Sequence, residues 1–273
     1  MSSAHPVLSI VVLACYLACA VWLASGAYRA ASEPSRGRLG GLALGFVGLA
    51  LHAVLLRKSV FAASGLALSS AEVASLIGWA IAAIALVFSW RKPRFTGIGA
   101  ILIAIAGVTA AITDEGARSY ALEQHNWEIK AHIILSTLAY ALVTIAAAMA
   151  VALALLDRRL RSRQPLGRLA MLPSVEALEA GTFQALGAGF AVLTLALFSG
   201  FIFISNMFAQ HLPHKTVLSC LSWLVFAVLL FGRWRFGWRG RTAVRWTLSG
   251  FALLGLAYFG SRFVLESLGR HWG

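Results

Sequence analysis

The 273-residue chain predicts an all-α, polytopic membrane helical bundle with about eight transmembrane helices and both termini outside, and three observations lead there. Hydrophobic residues make up 60% of the sequence and the mean hydropathy is +0.81, which leaves little chain for a soluble domain. A window of about 19 residues finds roughly eight apolar stretches, each near the ~20 residues that cross a bilayer as a helix. They begin near Val7, Gly40, Glu72, Thr96, His132, Phe183, Thr216 and Trp246. The third observation is where the arginines fall: Arg29 to Arg38, Arg91 to Arg94, Arg158 to Arg168 and Arg233 to Arg245 occupy alternate connections. Cationic connections stay cytoplasmic, so these mark the inside.

Each element follows from its residues. Val7 to Ala27 is long for a signal-peptide core, has no basic residue before it and is followed by Arg29, which reads as a retained span entering from outside. Ser32 to Gly37 is a polar turn, and Arg91 to Arg94 a tight basic one. Gly40, Gly41, Gly45 and Gly48 in the second span, with Gly97, Gly99 and Gly107 in the fourth, let helix backbones approach closely. The longest outer connection, Asp114 to Lys130, carries Trp127 as an interfacial anchor. The longest inner segment, Asp157 to Thr182, is arginine-rich and then passes through Leu172-Pro173-Ser174 into Val175 to Glu179, expected as a surface helix before span six. The whole, residues 1–273, reads as a single integral membrane domain.

The net charge of +13 suggests nucleic acid in a soluble protein. Here the cations sit in short loops that set orientation and meet lipid headgroups, so the bilayer is the expected partner and nucleic acid is not. Cys15, Cys19 and Cys220 lack the Cys-x-x-Cys spacing of thiol redox work and read as packing residues. Acid and base pairs, a phosphate-binding glycine loop, a strand pattern and a nucleophile elbow are all lacking, so an ordinary enzyme is poorly supported.

Histidine does not track topology as arginine does, yet all seven histidines fall on the outer side of this arrangement. His5, His125, His211, His214 and His271 lie in loops and tails, His132 at the outer end of span five, and His52 in the outer half of span two. Haem iron takes an imidazole nitrogen only when it is unprotonated. Spans five and seven both run inward, placing His132 and His214 at helix starts, where the dipole favours the neutral ring. His132, Ser136 and Tyr140 follow at i, i+4 and i+8, a polar face that belongs inside the bundle. The candidate haem-binding residues are therefore His132 first, then His214 and His52, with His271 behind them. A plainer role stands beside each: a helix-to-helix hydrogen bond for His132 and His52, a helix-entry turn for His214, a frayed tail for His271. His211-x-x-His214 has metal-like spacing but is interrupted by Pro213. Lys130, Lys215, Arg262 and Arg270 are cations placed to meet haem propionates, although Arg262 has Glu266 one turn away.

These residues resemble the CcsA-type cytochrome c assembly proteins, which move haem to the outer face for attachment to apocytochrome c. The likeness is strongest over residues 45–273. It is carried by Leu51-His52, by Glu72 to Trp79, by Ala131-His132 with Leu135-Ser136 and Ala139-Tyr140, and by Leu172 to Glu179. Leu193-Thr194, Ser199-Gly200, Gly237-Trp238-Arg239-Gly240-Arg241, Gly250-Phe251 and Tyr258-Phe259-Gly260 continue it. His132 matches that family's first outer histidine, His271 falls near the second, and Phe231 stands where a further one occurs. The tryptophan-rich outer loop of the haem-exporting members is replaced by Ser205 to Thr216, without tryptophan or aspartate. Stacked indoles would present haem to a partner, so their loss counts against haem synthetase (lyase) activity. The pattern is more similar to the YpjD-type inner membrane proteins, which lack that loop.

The resemblance implies a multi-pass protein of the bacterial cytoplasmic membrane that binds haem or serves cytochrome c biogenesis at the outer face, beside other biogenesis proteins. Two alternatives remain: a transporter or transporter accessory using His52 and His132 in a polar path, and a non-haem scaffold for membrane partners. The transport reading needs ionisable groups along its path, and the inner halves of the spans offer almost none.

Overall fold

The computed structural model describes residues 4–29, 36–62, 65–67, 69–112, 121–122, 127–203 and 213–260. Eight helices follow in order: α1 (Ala4–Arg29), α2 (Arg36–Val60), α3 (Ser70–Arg91), α4 (Thr96–Ala111), α5 (Trp127–Arg161), α6 (Val175–Phe203), α7 (Pro213–Phe236) and α8 (Gly240–Gly255). The first seven are long and apolar enough to cross a membrane, and α8 is 16 residues long, running on into a π turn, Leu256–Gly260. Most helices begin several residues before the apolar stretches that announce them. A hydropathy window registers only the lipid-facing part, whereas the helix continues through the interfacial turns, as α8 does through Arg241 and Arg245 before Trp246.

Two departures from the sequence reading concern local structure. Val175 to Glu179 is no separate surface helix but the first turns of the continuous 29-residue α6, because Glu179 has a partner on α7 that draws it inward. Connections expected without strands hold three of two or three residues each: β1 (Phe61–Ala62), β2 (Gly65–Ala67) and β3 (Ala121–Leu122). They pair antiparallel in the order β1-β2-β3, with Phe61 opposite Leu66 and Leu66 opposite Leu122.

The chain forms two compact units, one of Met1–His125 with Leu155–Ala177, the other of Asn126–Ala154 with Leu178–Gly273. In the first, α1 packs on α2 and α4, and α3 on α4. Lipid tails are as apolar as leucine, so close backbone approach rather than water exclusion holds such helices together. Tyr16 of α1 shows how: a Cβ at Gly48 of α2 would lie 3.0 Å from its ring, and one at Gly107 of α4 3.1 Å from its Cβ. At the start of α3, Ser69 and Glu72 form a reciprocal capping box that satisfies two otherwise orphan amides.

The second unit has its core around Ala139, Val143, Leu186, Phe226, Leu229 and Leu254. Three hydroxyls inside its helices bond to carbonyls one turn back, Thr144 to Tyr140, Thr182 to Leu178 and Thr194 to Phe190, whereas the buried Thr247 hydroxyl of α8 has no partner among the described residues. Between α7 and α8 the chain reverses at Gly237, whose φ of 67° is a left-handed conformation that a Cβ would strain. The Gly237 and Trp238 amides bond back to the carbonyls of Arg233 and Gly232. Across the same pair, Ser222 donates to the Gly250 carbonyl at 2.8 Å while the buried Phe226 ring lies over Gly250. A Cβ there would stand 2.8 Å from both Cδ1 and Cζ of that ring. Gly250→Ala is therefore expected to cost about 1–3 kcal/mol through overpacking, read as a lowered unfolding midpoint in detergent.

Candidate functional site

The polar face expected along α5 exists, and its surroundings belong to the second unit. His132 is half-buried. Its Nδ1 lies 2.9 Å from Ser199 Oγ of α6, and its Nε2 3.4 Å from Ser136 Oγ, one turn along α5. Ser199 is buried and donates its single hydroxyl proton to the Ala196 carbonyl at 2.8 Å. Its oxygen can then only accept from the ring, which puts the imidazole proton on Nδ1 and leaves the Nε2 lone pair toward Ser136. The next residue, Gly200, makes room for the ring: a Cβ there would approach His132 Cε1 to 3.2 Å.

Further along the same face, the Tyr140 hydroxyl donates to the Leu254 carbonyl at 2.8 Å, where α8 gives way to the π turn. Tyr258, inside that turn, meets Tyr140 edge to face at 6.1 Å, and the Lys215 ammonium lies 5.8 Å from the centre of the Tyr258 ring. At the opposite extreme of the stripe, Glu128 stands four residues before His132. Its Oε2 is buried without a hydrogen-bond partner among the described residues.

His132 is the sixth residue of α5, since the helix opens at Trp127. The dipole falls off within the first turn, so the ring owes its proton arrangement to Ser199 rather than to the helix start. His214 is the second residue of α7, directly after Pro213, and its side chain lies outside the described residues. His271, Arg262, Arg270, His125 and His211 lie outside them altogether, as does the side chain of His5.

His52 belongs to the first unit and is fully buried. Its Nδ1 is 3.3 Å from the Tyr16 hydroxyl of α1, and its Nε2 is 2.9 Å from Ser75 Oγ of α3. Both ring nitrogens are engaged, and one imidazole ties three helices together. The sequence reading met Ser199 in Ser199-Gly200 and Ser75 within Glu72 to Trp79 only as carriers of the family resemblance, and paired neither with a histidine. Each is a hydroxyl in an apolar helix, the kind of residue that answers a membrane histidine.

Among the described residues no group of three or more His, Cys, Asp or Glu side chains could hold a bare metal ion. The donor set around His132 is of another kind: one nitrogen held by a short hydrogen bond to Ser199, the other met only by the 3.4 Å contact to Ser136, and a partner on the non-ligating nitrogen is how ligand histidines are oriented in metal centres. That arrangement fits an axial ligand to haem iron.

Comparison with known proteins bears on the same residues. The cytochrome c assembly protein family matches residues 42–269, a range containing His52, His132, Ser199 and His214. The inner membrane protein YpjD of Escherichia coli (strain K12) is 31% identical over 223 residues, covering 81% of this chain and 84% of that protein. The cytochrome c biogenesis proteins CcsA of Microcystis aeruginosa and Trichormus variabilis are 27% and 29% identical over 99 residues, 36% of this chain in each case and 30% and 28% of theirs. No solved structure matches. With most of its length matched by the family and by a relative of nearly the same extent, this multi-pass membrane chain belongs to the cytochrome c assembly protein family.

Proposed function

We propose that the protein binds haem, or serves as an accessory to its handling, at the outer face of the bacterial inner membrane during cytochrome c biogenesis. The observation that carries this is the His132 ring, with Nδ1–H seated on Ser199 and the Nε2 lone pair turned along the polar face of α5. Bound haem would supply an iron for imidazole to ligate and two propionates for cations to meet. His132 is the first ligand. His214 and His271 are the candidates for the second, and His52 stands last, because it is fully buried between three helices whereas His132 is only half-buried. The names of the relatives support the compartment and the pathway, and the arginine-rich connections support the sidedness.

The test is optical. Protein purified in detergent from haem-replete cells is expected to show a Soret band that His132→Ala abolishes and His5→Ala leaves unchanged. A colourless wild-type protein would overturn haem binding and leave the scaffold and transporter readings.

A further inference from the structure

We infer that Ser199 is a positioning residue that selects Nε2 of His132 as the ligating atom. The inference rests on the reading of His132 as an iron ligand, but its geometry stands without any cofactor. An imidazole presents two nitrogens of similar basicity, and whichever keeps its proton cannot ligate. Ser199 decides between them because its own proton is committed to the Ala196 carbonyl, so its oxygen is an acceptor facing Nδ1 at 2.9 Å. Gly200 completes the seat, since a Cβ there would crowd the ring at 3.2 Å from Cε1. Ser136, whose hydroxyl is 3.4 Å from Nε2, is the group that an incoming ligand acceptor must displace.

The contact at Nε2 is long and the one at Nδ1 is short. Hydrogen-bond strength falls steeply with such lengthening, so the ring is anchored from α6 and only loosely capped from within α5. A partner on the non-ligating nitrogen fixes ring orientation and raises ligand basicity, and its removal from a metal centre typically lowers metal affinity 10–100-fold. Ser199→Ala should therefore leave His132 able to rotate or to place its proton on Nε2 and donate it to Ser136. Ser199→Thr keeps the hydroxyl and should behave as the wild type.

The experiment uses the full-length protein labelled with 15N-histidine and freed of haem, with the His132 resonances assigned by their loss in His132→Gln. The wild type and Ser199→Thr are expected to show a protonated, pyrrole-like Nδ1 and a pyridine-like Nε2, whereas Ser199→Ala should show mixed or reversed tautomers. A wild type protonated at Nε2, or a Ser199→Ala spectrum identical to it, overturns the assignment. Haem titration of the same three proteins reads the consequence: Ser199→Ala should bind about tenfold or more weakly, with Ser199→Thr close to wild type. If no variant binds haem while the tautomers behave as expected, the haem reading fails and the role of Ser199 in setting the ring survives. If haem binds equally to all three, the role of Ser199 fails and the haem reading survives.

Discussion

His52→Ala is expected to lower the stability of the first unit by about 3 kcal/mol, and His52→Leu by about 1 kcal/mol. The difference comes from separating two effects. Hydrogen bonds between membrane helices average only about 0.6 kcal/mol, because a helix unfolded within the bilayer also finds partners for its polar groups. Losing the bonds to Tyr16 and Ser75 is thus the smaller part. The larger part is the void: His52 is fully buried beside an equally buried Tyr16, whose ring meets it edge to face at 5.8 Å, and truncation of a large buried side chain to alanine costs about 2–5 kcal/mol. Leucine refills most of that space, and the Ser75 hydroxyl can then turn to a carbonyl of its own helix, as those of Thr144, Thr182 and Thr194 do, while the longer Tyr16 side chain forfeits its 3.3 Å contact. Denaturation in mixed micelles measures both variants. The optical spectrum of His52→Leu should match that of the wild type, and a changed Soret band would promote His52 from a helix tie to a ligand.

The contrast between His52 and His132 shows how far the sequence could be read. Apolar stretches and alternating arginines announce the helices, and the period of His132, Ser136 and Tyr140 announces a polar face, because these signals are local. The partners that decide what each histidine does are remote. Ser199 is 67 residues from His132, and Ser75 and Tyr16 are 23 and 36 residues from His52. A buried histidine in an apolar span says that it must have partners without saying which. Tyr140 bonds to a carbonyl 114 residues away, where α8 meets a local change of helix pitch that has no residue signature. By contrast, the Ser69-x-x-Glu72 cap of α3, which the sequence reading did not single out, is a local three-residue spacing of the kind that a sequence can show. The early starts of the helices have a similar explanation: interfacial turns are amphipathic or cationic, and no hydropathy window counts them.

Arg233→Ala should be the most damaging single charge removal, with a loss of about 2–3 kcal/mol. The guanidinium Nη1 of Arg233 is 2.8 Å from Glu179 Oε1 and also donates to the Trp238 carbonyl at 3.2 Å, while its plane lies 4.5 Å from the centre of the Phe183 ring. One side chain thus joins the first turns of α6 to the last turn of α7 and to the reversal that follows. Glu179 is only 15% exposed, and the remaining cation, Arg239, is 3.6 Å away and largely in solvent. Removing one partner of a fully buried pair costs about 3–5 kcal/mol, mostly from the charge left behind, and the partial exposure of Arg233 together with the substitute cation reduces that figure. Glu179→Gln should cost less, since a neutral amide is cheaper to leave and can still accept from the guanidinium. The pairing of Arg233→Met with Glu179→Leu tests the origin of the effect. If the stranded charge dominates, the double variant recovers most of the stability lost by Arg233→Ala, because replacing both ions by apolar side chains of similar volume is often neutral. If the double variant is instead as unstable as Arg233→Ala, the loss comes from the contacts to Trp238 and Phe183, and the ion pair is incidental to the packing of α6 against α7.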